Sequence, residues 1–365
     1  MKPRARELGI RFDGEPGRHN ALTDVPGVRI GYTTLSDGEV RTGVTAILPR
    51  GREDIEQPCA AGWFSLNGNG EMTGTAWVEE TGALTLPVLI TNTHAVGTCH
   101  RAVVDWVAAH RPELARRWLL PVVAETFDGY LNDINSAAVR AEHAHHAIDT
   151  AAGGPVAEGS VGGGTGMTCY AFKGGSGTAS RRVRYGDDTF TVGAFVQANF
   201  GSRRELSIAG VPLGRHLADD NPQEAGHMPP GAGSVIAVVG TDAPLLPGQC
   251  KALARRVPFG LARTGTTGSH FSGDLFLAFS TANPGALTSA WPSESARTQA
   301  YESLRFVPWP NLDPFHAAVA EAVEEAVVNV LVAGETMVGR AGHRSPAMPV
   351  DRVLALLRDP APAAM

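Results

Sequence analysis

Residues 231–239 read Gly231-Ala232-Gly233-Ser234-Val235-Ile236-Ala237-Val238-Val239. Small residues and a Ser stand directly before an apolar β-type run. Upstream, from about residue 203, the chain turns polar. It carries Asp219-Asp220-Asn221-Pro222 and Pro229-Pro230-Gly231, which predict an exposed loop or linker over 203–231. A plain Gly-Ser turn into a strand fits these residues. So does an N→O acyl shift, in which the Ser234 hydroxyl attacks the carbonyl of Gly233. The unusual backbone this needs is tolerated best by Gly. Hydrolysis of the ester would leave Ser234 as a new N-terminus. Its free α-amine, with a pKa near ~8, is a fitting general base for its own hydroxyl.

Around this stretch the pattern alternates between strands and helices. Short β-type runs lie at 28–32, 43–48, 86–90, 119–123, 190–198, 235–239 and 274–279. Helical spacing is read at 96–109, 136–151 and 314–334. A further helix through Leu246, Cys250, Leu253 and Ala254 follows Asp242, a candidate cap. Glu321, Glu324 and Glu325 are expected on the wet side of the last long helix. The chain has 365 residues, 43 % hydrophobic and 19 % charged, with 43 Gly and 25 Pro. That composition supports a sizeable core with many tight turns.

Several function classes are disfavoured. The net charge is −6 and the basic residues are scattered, which speaks against a nucleic-acid partner. Cys59, Cys99, Cys169 and Cys250 are widely spaced and form no CxxC, so reduced buried thiols are expected. The start of the chain lacks the apolar run of a secretory signal, and no stretch is long enough to span a membrane. A cytoplasmic location is the resulting expectation. His143, His145 and His146 offer only one same-face pair and predict no metal site. The run Gly162-Gly163-Gly164-Thr165-Gly166 lacks the ending of a P-loop.

The full chain resembles the self-processing L-aminopeptidases/D-esterases and β-peptidyl aminopeptidases. These are N-terminal-nucleophile-like serine amidases, distantly akin in fold to ornithine acetyltransferases. The resemblance rests on Asn67-Gly68-Asn69-Gly70-Glu71, Thr91-Asn92-Thr93-His94-Ala95-Val96-Gly97 and Ala124-Glu125-Thr126-Phe127-Asp128-Gly129. It continues through Gly162-Gly163-Gly164-Thr165-Gly166-Met167, Gln197-Ala198-Asn199-Phe200-Gly201, Gly233-Ser234, Thr241-Asp242-Ala243-Pro244 and Ser272-Gly273-Asp274, in the family's order.

It implies an α+β fold, a four-layer αββα sandwich spanning 1–365 as one domain, processed into 1–233 and 234–365. It implies Ser234 as nucleophile, with Ser272 and Asp274 supporting it. Asp274 is one methylene shorter than the Glu of some relatives. Asn199 matches the amide donor to the oxyanion, and Glu125 the carboxylate for the substrate's free amine. Phe127 falls at a substrate-side position where some relatives carry Tyr. The Gly162–Gly166 run is expected to line the site. No metal or organic cofactor is implied, and a tetramer of αβ units is expected.

The activity implied is hydrolysis of an amide or ester next to a free amine. Candidate substrates are N-terminal L-residues, β-amino acid peptides, and D-amino acid amides or esters. Two alternatives stay open at this point. One is a same-fold amidase or acyltransferase acting on a pantetheine-type amide, and the other is a non-catalytic ligand-binding protein on the same scaffold.

Overall fold

The computed structural model describes residues 2–225, 229, 231–289 and 301–359. In chain order the strands begin with β1 (Arg29–Asp37), β2 (Val40–Leu48), β3 (Cys59–Gly68), β4 (Ala83–Leu84), β5 (Val88–Asn92), β6 (Val123–Thr126) and β7 (Thr168–Cys169). They continue with β8 (Phe172–Lys173), β9 (Gly175–Tyr185), β10 (Asp188–Asn199), β11 (Gly233–Thr241), β12 (Ser272–Ser280), β13 (Met337–Val338) and β14 (Arg344–Ser345). The helices are α1 (Thr75–Thr81), α2 (Val96–His110), α3 (Ala141–Asp149), α4 (Pro247–Ala254), α5 (Val257–Arg263), α6 (Asp313–Ala333) and α7 (Val350–Arg358).

Two sheets dominate. One has the order β1-β2-β5-β6, and the other β4-β3-β12-β11-β10-β9. Side-chain alternation along each strand sorts the apolar residues into three separate layers of core. On β11, Ile236 and Val238 face the layer between the sheets, while Val235, Ala237 and Val239 face helices α4 to α6. On β2, Ile47 faces the inter-sheet layer, and Val44, Ala46 and Leu48 pack beneath α2 and α3. The result is the expected helix–sheet–sheet–helix stack. A sheet covered on both faces explains why residues 235–239 read as an unbroken apolar run.

The structure corrects several local expectations. The run at 119–123 is not a strand through its length; β6 begins at Val123. Pro121 has no N–H for a ladder, and its carbonyl instead accepts from the Thr73 hydroxyl at 2.8 Å. The helix read at 136–151 begins at Ala141, because Ala137 adopts a left-handed φ of 51° just before it. Asp242 caps no helix. It accepts from Thr191 N at 2.7 Å, while Gln249 Oε1 accepts from Leu246 N at the start of α4.

The supposed exposed linker is largely anchored. Arg203, Leu206, Ile208, Leu213 and Leu217 are buried. The Arg203 guanidinium donates to the carbonyls of Tyr170, Leu217 and Ala171. On the acid face of α6, Glu321 and Glu324 keep partial exposure, but Glu325 is not solvated. Glu325 is fully buried and is paired with Arg6 and Arg181, both at 2.8 Å. Removing one partner of such a buried pair costs ~3–5 kcal/mol, so this network ties the N-terminal arm to α6.

Candidate active site

The ends of β10, β11 and β12 set Asn199 beside Ser234 and Ser272 beside Asp274. Ser234 is the second residue of β11, the strand its apolar run predicts. It pairs with Asn199 of β10 across an antiparallel rung. On its other flank β12 runs parallel, with Gly233 opposite Ser272 and Ser234 opposite Gly273. A Cβ at position 233 would run into the carbonyl oxygen of Asn199, so this close approach requires Gly. Ser234, Asn199, Ser272 and Asp274 are all buried.

Asn199 is held from three sides. Its Oδ1 accepts from Thr168 N at 2.9 Å, which fixes which end of the amide is which. Its Nδ2 donates to Phe127 O at 2.9 Å and faces Ser234 Oγ at 3.5 Å. Ser234 Oγ also accepts from Phe127 N at 3.1 Å. Two N–H donors of different elements therefore converge on one hydroxyl.

The Ser272 hydroxyl donates to Asp274 Oδ1 at 2.5 Å, so the shorter acid still reaches its partner. Asn67 Nδ2 donates to the other oxygen at 3.1 Å. Burial raises the Asp274 pKa, and the bonds from Ser272, Asn67 and the Val235 backbone work against that rise.

The four-stranded sheet supplies the opposite wall. Glu125 lies on β6 beside Thr91 of β5 and is only 2 % exposed. Its Oε1 accepts from Glu71 N at 2.9 Å, and its Oε2 accepts from the Thr93 hydroxyl. Burial raises its pKa, partly offset by those two bonds. Gly70 leaves room over it, since a Cβ there would lie 3.1 Å from Oε1. The half-buried Phe127 follows β6, and its contact with Ser234 is made by its backbone N–H.

Other candidates make contacts of their own. The N–H groups of Gly162 and Gly163 donate to the Thr34 and Thr45 hydroxyls, and Gly162, Gly163 and Gly164 are buried. His94 Nδ1 pairs with Asn135 Oδ1 at 3.0 Å. His143 Nδ1 accepts from Arg140 N, and His145 Nε2 bonds the Ala102 carbonyl. Among the described residues no group of three or more His, Cys, Asp or Glu is placed to hold a metal ion. All four cysteines are buried and unpaired. No helix among the described residues is long and apolar enough to cross a membrane. Thr93, Thr168 and Asn67 were given no role in the sequence reading. Thr93 and Asn67 stand inside two of its quoted motifs, whereas Thr168 acts through its backbone and leaves no residue-type signal.

Residues 20–345 match the sequence profile of peptidase family S58. The chain belongs to this family. It is 48 % identical over 375 aligned positions to the β-peptidyl aminopeptidase BapA of Sphingosinicella microcystinivorans, covering 98 % of this chain and 92 % of that one. Among solved structures, the L-aminopeptidase D-Ala-esterase/amidase of Ochrobactrum anthropi superposes with a TM-score of 0.91 at 45 % identity over the whole of both chains. It is described as a prototype serine aminopeptidase and a variant of the Ntn hydrolase fold. A β-aminopeptidase from Burkholderia sp. gives a TM-score of 0.87 at 46 % identity, covering 98 % of this chain and 99 % of that one. This S58 member is thus a hydrolase of the N-terminal-nucleophile fold class, in a family of aminopeptidases. These relatives favour the aminopeptidase reading over the pantetheine-type amide.

Proposed function

We propose that the chain cuts itself between Gly233 and Ser234, and that the Ser234 so freed hydrolyses amides and esters whose acyl part carries a free amine. The observation that supports this most is the convergence of Phe127 N–H and Asn199 Nδ2 on Ser234 Oγ, one residue after Gly233. In the first stage Oγ adds to the Gly233 carbonyl carbon. The C–N bond breaks, and the proton passes to the Ser234 nitrogen. Water then hydrolyses the ester and leaves a carboxylate on Gly233. The Ser272–Asp274 pair, set against the first rungs of β11, orients the groups around this bond.

In the second stage the α-amine of Ser234 takes the Oγ proton as Oγ attacks the substrate carbonyl. Phe127 N–H and Asn199 Nδ2 then hold the developing oxyanion. The amine returns its proton to the leaving nitrogen, and water releases the acyl group. Glu125, ionised and buried, binds the substrate ammonium with a charge-assisted bond. β-Aminoacyl amides are among the substrates this reading takes in, since two of the similar proteins act on β-peptides or carry a β-aminopeptidase name. A tetramer of cut units in the cytoplasm belongs to the same proposal, and sedimentation of the purified protein tests the tetramer.

The deciding experiment is a denaturing gel and intact mass of the wild type beside Ser234→Ala. The proposal expects two pieces, 1–233 and 234–365, from the wild type only. Release of p-nitroaniline from free aminoacyl anilides, and none from N-acetylated ones, is the expected activity. A full-length, active wild type would overturn the mechanism.

A further inference from the structure

Lys173, the last residue of β8, is fully buried. Its Nζ donates to the carbonyls of Met167 at 2.8 Å and Gly174 at 2.9 Å. Among the described residues no carboxylate lies within ion-pair distance of it, and the titratable group acting on it is the Cys169 thiol. Burial pushes its ammonium down to about 7. A lysine buried without a counter-charge is costly, and such groups concentrate at functional sites.

Holding the β7–β8 hairpin does not account for it. The turn places Tyr170 and Ala171 at left-handed φ values of 52° and 54°. Both of their carbonyls are already bound by the Arg203 guanidinium, which also lies 3.4 Å from the Phe172 ring centre. The strands are joined by the Thr168–Lys173 and Cys169–Phe172 rungs. The turn is therefore secured by other groups.

What Lys173 does reach is one particular peptide unit. The Met167 carbonyl accepts from Lys173 Nζ and also from Gly174 N at 2.9 Å. At the other end of that peptide, Thr168 N–H donates to Asn199 Oδ1 at 2.9 Å. The Asn199 amide then presents Nδ2 to Phe127 O and Ser234 Oγ. Ammonium, peptide and side-chain amide thus stand head to tail, with their N–H ends directed toward Ser234. In a low-dielectric interior such chained bonds polarise one another.

We propose that Lys173 is a positioning residue for catalysis, acting through the Met167–Thr168 peptide to orient the Asn199 amide and strengthen it as oxyanion donor. The proposal rests on the reading of Asn199 as that donor. Its test is a double-mutant cycle of Lys173→Met and Asn199→Ala, with kcat and KM measured on an aminoacyl p-nitroanilide. Rates are normalised to the processed fraction read by intact mass, and thermal unfolding is followed alongside.

In the wild-type background Lys173→Met should lower kcat about tenfold and move KM less than about twofold. In the Asn199→Ala background it should have less than about a twofold further effect. An equal loss in both backgrounds, or an unchanged kcat, overturns the proposal while leaving Asn199 in its role. An unchanged kcat in Asn199→Ala alone removes the underlying reading and Lys173 with it. Should Lys173→Met fail to fold, Lys173→Gln, which keeps a neutral donor, replaces it in the cycle. The same coupling is then expected at smaller amplitude, and independence from Asn199 is again the overturning result.

Discussion

The two sheets meet at one site but bring unlike equipment to it. The six-stranded sheet contributes Ser234, Asn199, Ser272 and Asp274, all buried at the ends of three adjacent strands. The four-stranded sheet contributes Glu125, buried and held by two donors, and past the end of β6 the Phe127 N–H. Under the proposed function the six-stranded sheet carries the nucleophile, and the four-stranded sheet carries recognition through Glu125 while lending the Phe127 N–H to the oxyanion. The inter-sheet core then does more than add stability: it sets how far the substrate's amine stands from its carbonyl.

Predictions follow that contrast. The largest effect is expected at Ser234. Ser234→Ala should leave the chain whole and abolish activity, read on a gel and by anilide hydrolysis. Asn199→Ala should cost ~10²–10³ in kcat with KM little changed, as for loss of one oxyanion donor. A matching fall from a change on the four-stranded sheet would erase the division.

Glu125→Gln tests that sheet. Loss of a charge-assisted bond worth ~1.5–3 kcal/mol should raise KM roughly ten- to hundredfold, with a smaller change in kcat. In the wild type, burial raises the Glu125 pKa above the ordinary 4.5. The binding form is ionised, so KM should climb as pH falls through that raised value, a trend Glu125→Gln should lack. The smallest effect concerns stability. Asp128, next to Phe127, is pushed by burial up to about 7, from 3.8. A raised carboxyl stabilises the fold below its unfolded pKa, and that contribution is lost as pH rises to about 7. Thermal midpoints of Asp128→Asn against wild type should therefore shift in favour of the variant between pH 4 and 7.

Much of this geometry was legible in the residues. The apolar run at 235–239 predicts β11, and the quoted motifs contain Ser234 and Asn199, which face each other at 3.5 Å, and Ser272 and Asp274, which bond each other. What escaped was set by tertiary contacts. Glu325 looks like a solvated acid in sequence because its counter-charges, Arg6 and Arg181, lie far along the chain. The stretch after residue 203 reads as linker because its polarity hides the apolar anchors Leu206, Ile208 and Leu213. Phe127 draws notice in the sequence as a Phe where some relatives carry Tyr, while the contact it makes belongs to its peptide, which no residue type reveals.

The strand order of the larger sheet has a consequence for the molecule's history. β11 and β12 lie between β3 and β10, so strands from beyond residue 234 are dovetailed between strands from before it. A cut ahead of Ser234 would leave two interlocked polypeptides that part only by tearing both seams. Assembly must then precede scission, and maturation runs in one direction. An enzyme unfolded after maturation would have to find its other half by collision, so its recovery would depend on concentration where that of the uncut precursor would not.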